Sequence, residues 1–155
     1  MRSGILPALI TCLGLLFLVM PPNVTAQRAA QQSEADRVIT TYYRMLNAGL
    51  QSGDFSAIPA VYAPNARLRH VTLQGDSVVF QGLNAIRSYY QAAYRSIPGA
   101  VFKTMSIRDL SPTIVLTYDN ASTKDQEIGR CAHVFVLQHG KIVSHDWINY
   151  YAGKR

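Results

Sequence analysis

An apolar run opens the chain, Ile5 to Met20, in which 13 of 16 residues are apolar. It follows Arg2, breaks at Pro21-Pro22, and leads to the small residues of Val24-Thr25-Ala26. That order reads as a secretory leader, residues 1–26, cleaved before Gln27. The run is shorter than the roughly 20 residues a membrane helix needs. Residues 27–33 are polar and rich in Ala and Gln, a flexible lead-in. Val38, Ile39, Tyr42, Met45, Leu46 and Leu50 then recur at spacings of three and four. They predict one apolar stripe of a helix that Ser33 caps and that ends near Ser52-Gly53. Asp54 caps a second, short helix carrying Phe55, Ile58, Val61 and Tyr62, closed at Pro64-Asn65. Gly82 precedes a third, with Leu83, Ile86, Tyr89, Tyr90, Ala93 and Tyr94 on one face, stopped by Pro98-Gly99.

The other segments follow a period of two. Ala66 to Leu73 places Leu68, His70 and Thr72 on one face and Arg67 and Arg69 on the other. Ser77 to Gln81, Val101 to Asp109, Thr113 to Asn120, Glu127 to Gln138 and Lys141 to Tyr151 complete the strands. His139-Gly140 is a two-residue turn suited to left-handed dihedrals. Three helices in the N-terminal half and a mostly antiparallel sheet give an α+β fold. The strand from Glu127 is apolar on both faces: Cys131, His133, Phe135 and Leu137 on one, Ala132, Val134 and Val136 on the other. A sheet with one wet face does not look like this. One face packs on helices and the other, most simply, on a second copy of the chain.

Composition narrows the chemistry. Without the leader, 129 residues remain, enough for a single domain at 34–152. The net charge is +6, with Arg2 in the leader and the other basic residues scattered. That argues against a nucleic-acid stripe, and no membrane contact is expected after cleavage. Cys12 leaves with the leader, so Cys131 stands alone, which excludes a disulfide, a cysteine metal site and a redox pair. Cys131 is read as packing among apolar neighbours. No cofactor or metal is expected: there is no phosphate or dinucleotide motif, and His70, His133 and His145 come from separate strands without local zinc spacing.

Four short motifs fall in order: Leu50-Gln51-Ser52-Gly53-Asp54, Tyr62-Ala63-Pro64-Asn65-Ala66, Gly82-Leu83-Asn84-Ala85-Ile86 and His139-Gly140-Lys141-Ile142-Val143. In order and spacing they resemble the SnoaL-like polyketide cyclase family, within the superfamily shared by nuclear transport factor 2 and ketosteroid isomerase. The resemblance spans Ala35 to Tyr151. It implies a conical barrel in which a bent sheet wraps a long helix, leaves a pocket at the open end, and dimerises through its outer face. It also implies that His133, seven residues before the Gly-Lys-Ile hairpin, lies in the cavity. In those cyclases a histidine and a basic aspartate, two positions apart, follow the same hairpin. Here Asp146 comes directly after His145, so the two point to opposite faces, and Trp147 shares the His145 face. An ungapped match to ketosteroid isomerase places His70 at its catalytic aspartate, Leu46 at its oxyanion tyrosine and Ala132 at its oxyanion acid. Neither Leu46 nor Ala132 donates a hydrogen bond, which argues against steroid isomerisation.

The candidate catalytic residues are therefore His133, Asp146 and His70, with His145, Trp147, Tyr62, Asn149 and Leu46 lining the pocket. The expected function is an exported, periplasmic or secreted, homodimeric protein whose apolar pocket binds a small hydrophobic or cyclic ligand. The alternatives are an acid–base enzyme of cyclase or isomerase type, acting next to a carbonyl, and a dimerisation scaffold.

Overall fold

The computed structural model describes the backbone of residues 24–152 and the side chains of residues 34–152. The expected leader falls, up to position 23, outside the described residues. Helix α1 is Val24–Ser52, strand β1 Tyr62–Val71, β2 Ser77–Gln81, helix α2 Leu83–Ser96, and strands β3 to β6 are Val101–Ser111, Ile114–Ser122, Glu127–Gln138 and Lys141–Ala152. No helix of the described residues is long and apolar enough to cross a membrane.

Three expectations need correction. The helix expected to start at Ser33 runs back to Val24, through the supposed lead-in, because Ala and Gln are good helix formers that need no cap there. The second helix shrinks to one 3-10 turn, Ile58–Val61, with Pro59 in its first turn, so the described residues hold two α-helices rather than three. The sheet does not close into a barrel. Its order is β2-β1-β6-β5-β4-β3, leaving β2 and β3 as edges. All neighbours are antiparallel except β1 and β6, so the sheet is mixed.

Helix α1 lays its apolar stripe on one face of this sheet. Ala35, Val38, Ile39, Tyr42, Tyr43, Leu46 and Leu50 are all buried, at the three-and-four spacing of a single face. Asn47 fixes the helix against β3 by bonding both backbone groups of Phe102, its Nδ2 donating to the carbonyl at 3.0 Å and its Oδ1 accepting from the N–H at 2.8 Å. Helix α2 covers the β1 side through Tyr89, whose ring meets Phe80 and His70.

The β5–β6 hairpin sets which side chains face α1. His139 and Gly140 form its turn with φ of 50° and 66°, so a left-handed pair closes the two strands. One extra residue, Val143, then shifts the register on β6: Leu137 pairs with Ile142, but Val136 pairs with Ser144. This bulge lets both Ile142 and His145 face inward. Beyond it, Phe135 faces His145, His133 faces Trp147 and Cys131 faces Asn149.

A cavity beside a sealed histidine pair

The inward residues divide into two zones. The first is a cavity of about 460 Å³ between the C-terminal half of α2, the start of β3 and the ends of β5 and β6. Tyr89, Ile97, Phe102 and Trp147 give it apolar walls, and His70, Asn149, Arg130 and Cys131 supply polar atoms. The small residues Ala92 and Ala93 on α2 leave the space open. The guanidinium of Arg130 is already engaged, with Glu127 at 2.8 Å and over the Tyr151 ring at 5.2 Å.

A short hydrogen-bond chain orients the polar side of this cavity. The Trp147 indole can only donate, so its 3.0 Å contact runs from Nε1 to Asn149 Oδ1. That fixes the amide, whose Nδ2 donates to His70 Nε2 at 2.8 Å. The neutral His70 ring therefore carries its proton on Nδ1. Partial burial lowers the His70 pKa, so it stays neutral at physiological pH. As placed, His70 offers a donor rather than a free base lone pair.

The second zone is sealed. His133 and His145 have no exposed surface. His133 Nδ1 lies 2.7 Å from His145 Nε2, and His145 Nδ1 lies 2.7 Å from the Tyr62 hydroxyl. Tyr62 meets Tyr90 at 2.8 Å, and Tyr90 meets Tyr42 at 3.1 Å. At the other end, His133 Nε2 sits 3.2 Å from Cys131 Sγ and 3.3 Å from Asp119 Oδ2. The same Asp119 oxygen accepts from Tyr43 at 2.5 Å and from Thr117 at 3.0 Å. Burial holds the His133 pKa down to about 3, with the nearby His70 adding to the effect. It holds His145 well below its ordinary value, with His133 contributing. Burial raises the Asp119 pKa above the ordinary carboxylate value. Both imidazoles are neutral, so the 3.3 Å approach of His133 Nε2 to Asp119 Oδ2 is a close contact and not an ion pair of full charges.

The residues singled out in the sequence thus part company. His70, Trp147 and Asn149 line the cavity, whereas His133, His145, Tyr62 and Leu46 lie in the sealed core. The structure does not bring Asp146 to the histidines. It lies on the outer face, where Arg69 donates to Oδ2 at 2.6 Å and Arg67 to Oδ1 at 3.1 Å. The physical reason is strand parity: the bulge at Val143 precedes His145, so residues 145 and 146 keep opposite faces. Asp119 and Tyr89 were not singled out. The signal for Asp119 was an acid in the inward register of Val115, Thr117 and Ala121, all of which are buried.

An open, mixed α+β sheet carrying a long helix and a side cavity is the fold of nuclear transport factor 2-like proteins. The chain belongs to the SnoaL-like domain family, whose profile matches residues 34–145. Its fold is similar to that of a phenazine biosynthesis-related protein from Pseudomonas aeruginosa, with a TM-score of 0.64, 10% identity and coverage of 81% of this chain and 84% of that one. It is also similar to a nuclear transport factor 2-like protein from Anabaena variabilis, at TM-score 0.63, 12% identity and coverage of 78% and 91%. A SnoaL-like family protein from Agrobacterium tumefaciens matches at TM-score 0.61 and 16% identity, over 76% and 97% of the two chains. At these identities the likeness is one of fold. No curated protein matches the sequence.

Proposed function

We propose that this protein binds a small, largely apolar cyclic ligand in the cavity beside Trp147. The observation that carries the reading is the combination of aromatic and aliphatic walls with one ordered donor chain, Trp147 to Asn149 to His70. A cavity of about 460 Å³ suits a molecule of a few fused or linked rings. Such a ligand buries its rings against Tyr89, Phe102 and Trp147 and places one acceptor atom near His70. Native extraction of the protein with mass spectrometry tests this: a recovered ring compound at near one per chain supports it, and a protein that is consistently empty favours the scaffold reading.

A second reading is an acid–base enzyme acting next to a carbonyl, favoured by the neutral imidazole of His70 at the cavity wall. In that reading His70 gives up the Asn149 hydrogen bond so that Nε2 can take a proton. Incubating the recovered ligand with protein in deuterium oxide distinguishes the two. Deuterium entering a carbon next to a carbonyl, and not entering with His70→Ala, marks catalysis. We further infer export and dimerisation: a mature chain beginning at Gln27, by mass analysis of secreted material, and a dimer mass by light scattering.

A further inference from the structure

We propose that Asp119, Cys131 and His133 form a divalent-metal site of the type that takes zinc, set in the sealed zone and reaching the cavity at Cys131. The pairing of β4 with β5 builds the group. Asp119 lies directly opposite Cys131, and His133 is two residues along on the same face. One donor atom from each lies within 4.8 Å of the others, and all three residues are buried. His133 Nε2 is 3.2 Å from the thiol sulfur and 3.3 Å from the carboxylate. Tetrahedral zinc, with bonds of about 2.3 Å to sulfur and 2.0–2.1 Å to nitrogen and oxygen, separates its donors by about 3.3–3.6 Å. Two edges of that tetrahedron, His133 to Cys131 and His133 to Asp119 Oδ2, are nearly in place, while the oxygen without a hydrogen bond is the other one, Oδ1.

Three further observations point to a cation. Asp119 is 1% exposed and its Oδ1 accepts no hydrogen bond. The hydroxyls of Tyr43 and Thr117 are taken up by Oδ2, and Thr104, which faces Asp119 across the strand pair, adds a weak polar contact to the carboxyl but leaves Oδ1 without a hydrogen bond of full geometry. Second, a buried carboxylate beside a buried thiol is unfavourable for either anion alone, whereas two anionic donors and one neutral imidazole balance a doubly charged ion. Third, His145 faces His133 Nδ1. With the proton on Nδ1, donated to His145, the Nε2 lone pair points at Cys131 and Asp119, the outer-shell arrangement that orients a histidine ligand. The hydroxyls of Tyr62, Tyr90 and Tyr42 each donate and accept, so this direction of the chain costs no change of charge. Binding releases the thiol proton to solvent and forms the metal–sulfur bond. Cys131 also borders the cavity, so water or a ligand oxygen can supply a fourth donor from that side.

The sequence alone excluded a cysteine site because it counted cysteines. The strand register adds the acid from a neighbouring strand. The site does not depend on what the cavity holds.

The test is titration of the reduced, metal-free full chain with cobalt(II), read by absorption. The expected result is one cobalt per chain, with visible bands of tetrahedral intensity, a near-ultraviolet thiolate-to-cobalt charge-transfer band, and displacement by zinc. His145→Phe should keep the bands and weaken affinity by about 10–100-fold. Cys131→Ser, if its circular dichroism is native, should lose the charge-transfer band. A wild-type protein with no charge-transfer band at millimolar cobalt overturns the proposal, with no variant needed. So does a band that survives Cys131→Ser. Neither result bears on whether an organic ligand is recovered from the cavity.

Discussion

Two zones of one sheet face, a few ångströms apart, use the same residue type for different ends. In the sealed zone, His133 and His145 contact each other and a tyrosine chain, with no solvent. In the cavity zone, His70 is only partly buried and takes its hydrogen bond from a side chain that itself faces open space. Surroundings, and not residue identity, decide the chemistry. The sealed imidazoles are neutral structural links that can orient a neighbour, while the cavity imidazole is placed to meet a ligand. The boundary between them is built by Trp147, which packs on His133 at 4.8 Å and on His70 at 5.8 Å between ring centres.

Core truncation sharpens the contrast most. Phe135 is fully buried and stacks on both sealed histidines. Phe135→Ala should destabilise by about 3–5 kcal/mol in urea unfolding. Leu73→Ala, at the exposed rim of the cavity, should change stability by no more than about 0.5 kcal/mol. Equal losses would mean that the cavity side is as tightly packed as the core.

Acid comes next. Both sealed histidines have folded pKa values below the ordinary 6.5, so below that pH the unfolded chain binds protons that the folded chain refuses. Stability should be complete above about pH 6.5 and fall as pH drops below it, with the His133 share lost progressively down to about pH 3 and His145 acting in the same direction. Asp119 works the other way. Its raised pKa gives stability that is present at low pH and lost as pH rises through the folded value, so it works against the histidine effect in the part of the range above the ordinary carboxylate value. Urea midpoints between pH 7.5 and 4.5 check this. His145→Phe should flatten the curve more than His70→Ala, because His70 is only partly buried. A wild-type midpoint independent of pH would contradict the sealed zone.

The outer face gives a smaller effect. Asp146 is partly exposed between Arg67 and Arg69, both also partly exposed. Asp146→Asn should cost about 1 kcal/mol or less and leave ligand binding intact. Loss of binding in that variant would place Asp146 in the working site after all.

How much of this was legible follows from where local signals decide and where tertiary ones do. The strands Ser77–Gln81 and Glu127–Gln138 stand where alternation and flanking turns put them. The His139-Gly140 turn was readable because few residues favour two successive left-handed positions. That Asp146 and His145 diverge was readable from parity alone. The 3-10 turn at Ile58–Val61 was not, since four residues around a proline carry no helical period to separate it from a short helix. The start of α1 was misjudged because Ser33 looked like a cap, although nothing around it stops a helix. The split between sealed and cavity histidines was invisible, because β5 and β6 put His133 and Trp147 on the same face, and only the position of α2 decides which of them meets open space. Asp119 was missed because its partner Cys131 is twelve positions away, joined only by strand register.

The smallest expected stability effect belongs to the sharpest binding test. Ala93→Phe projects a ring into the cavity from α2 and should leave unfolding nearly unchanged while removing the space for a ligand.

Trp147 is the single tryptophan of the chain and lies in the cavity wall, so its emission reports on occupancy directly. The most direct measurement is energy transfer from Trp147 to 1-aminoanthracene, a neutral three-ring probe, during titration of the wild type and Ala93→Phe. A ligand-binding cavity at Trp147 gives saturable quenching at one probe per chain in the wild type, and none in Ala93→Phe. Linear, unsaturable quenching, or the same saturation in both proteins, would contradict it.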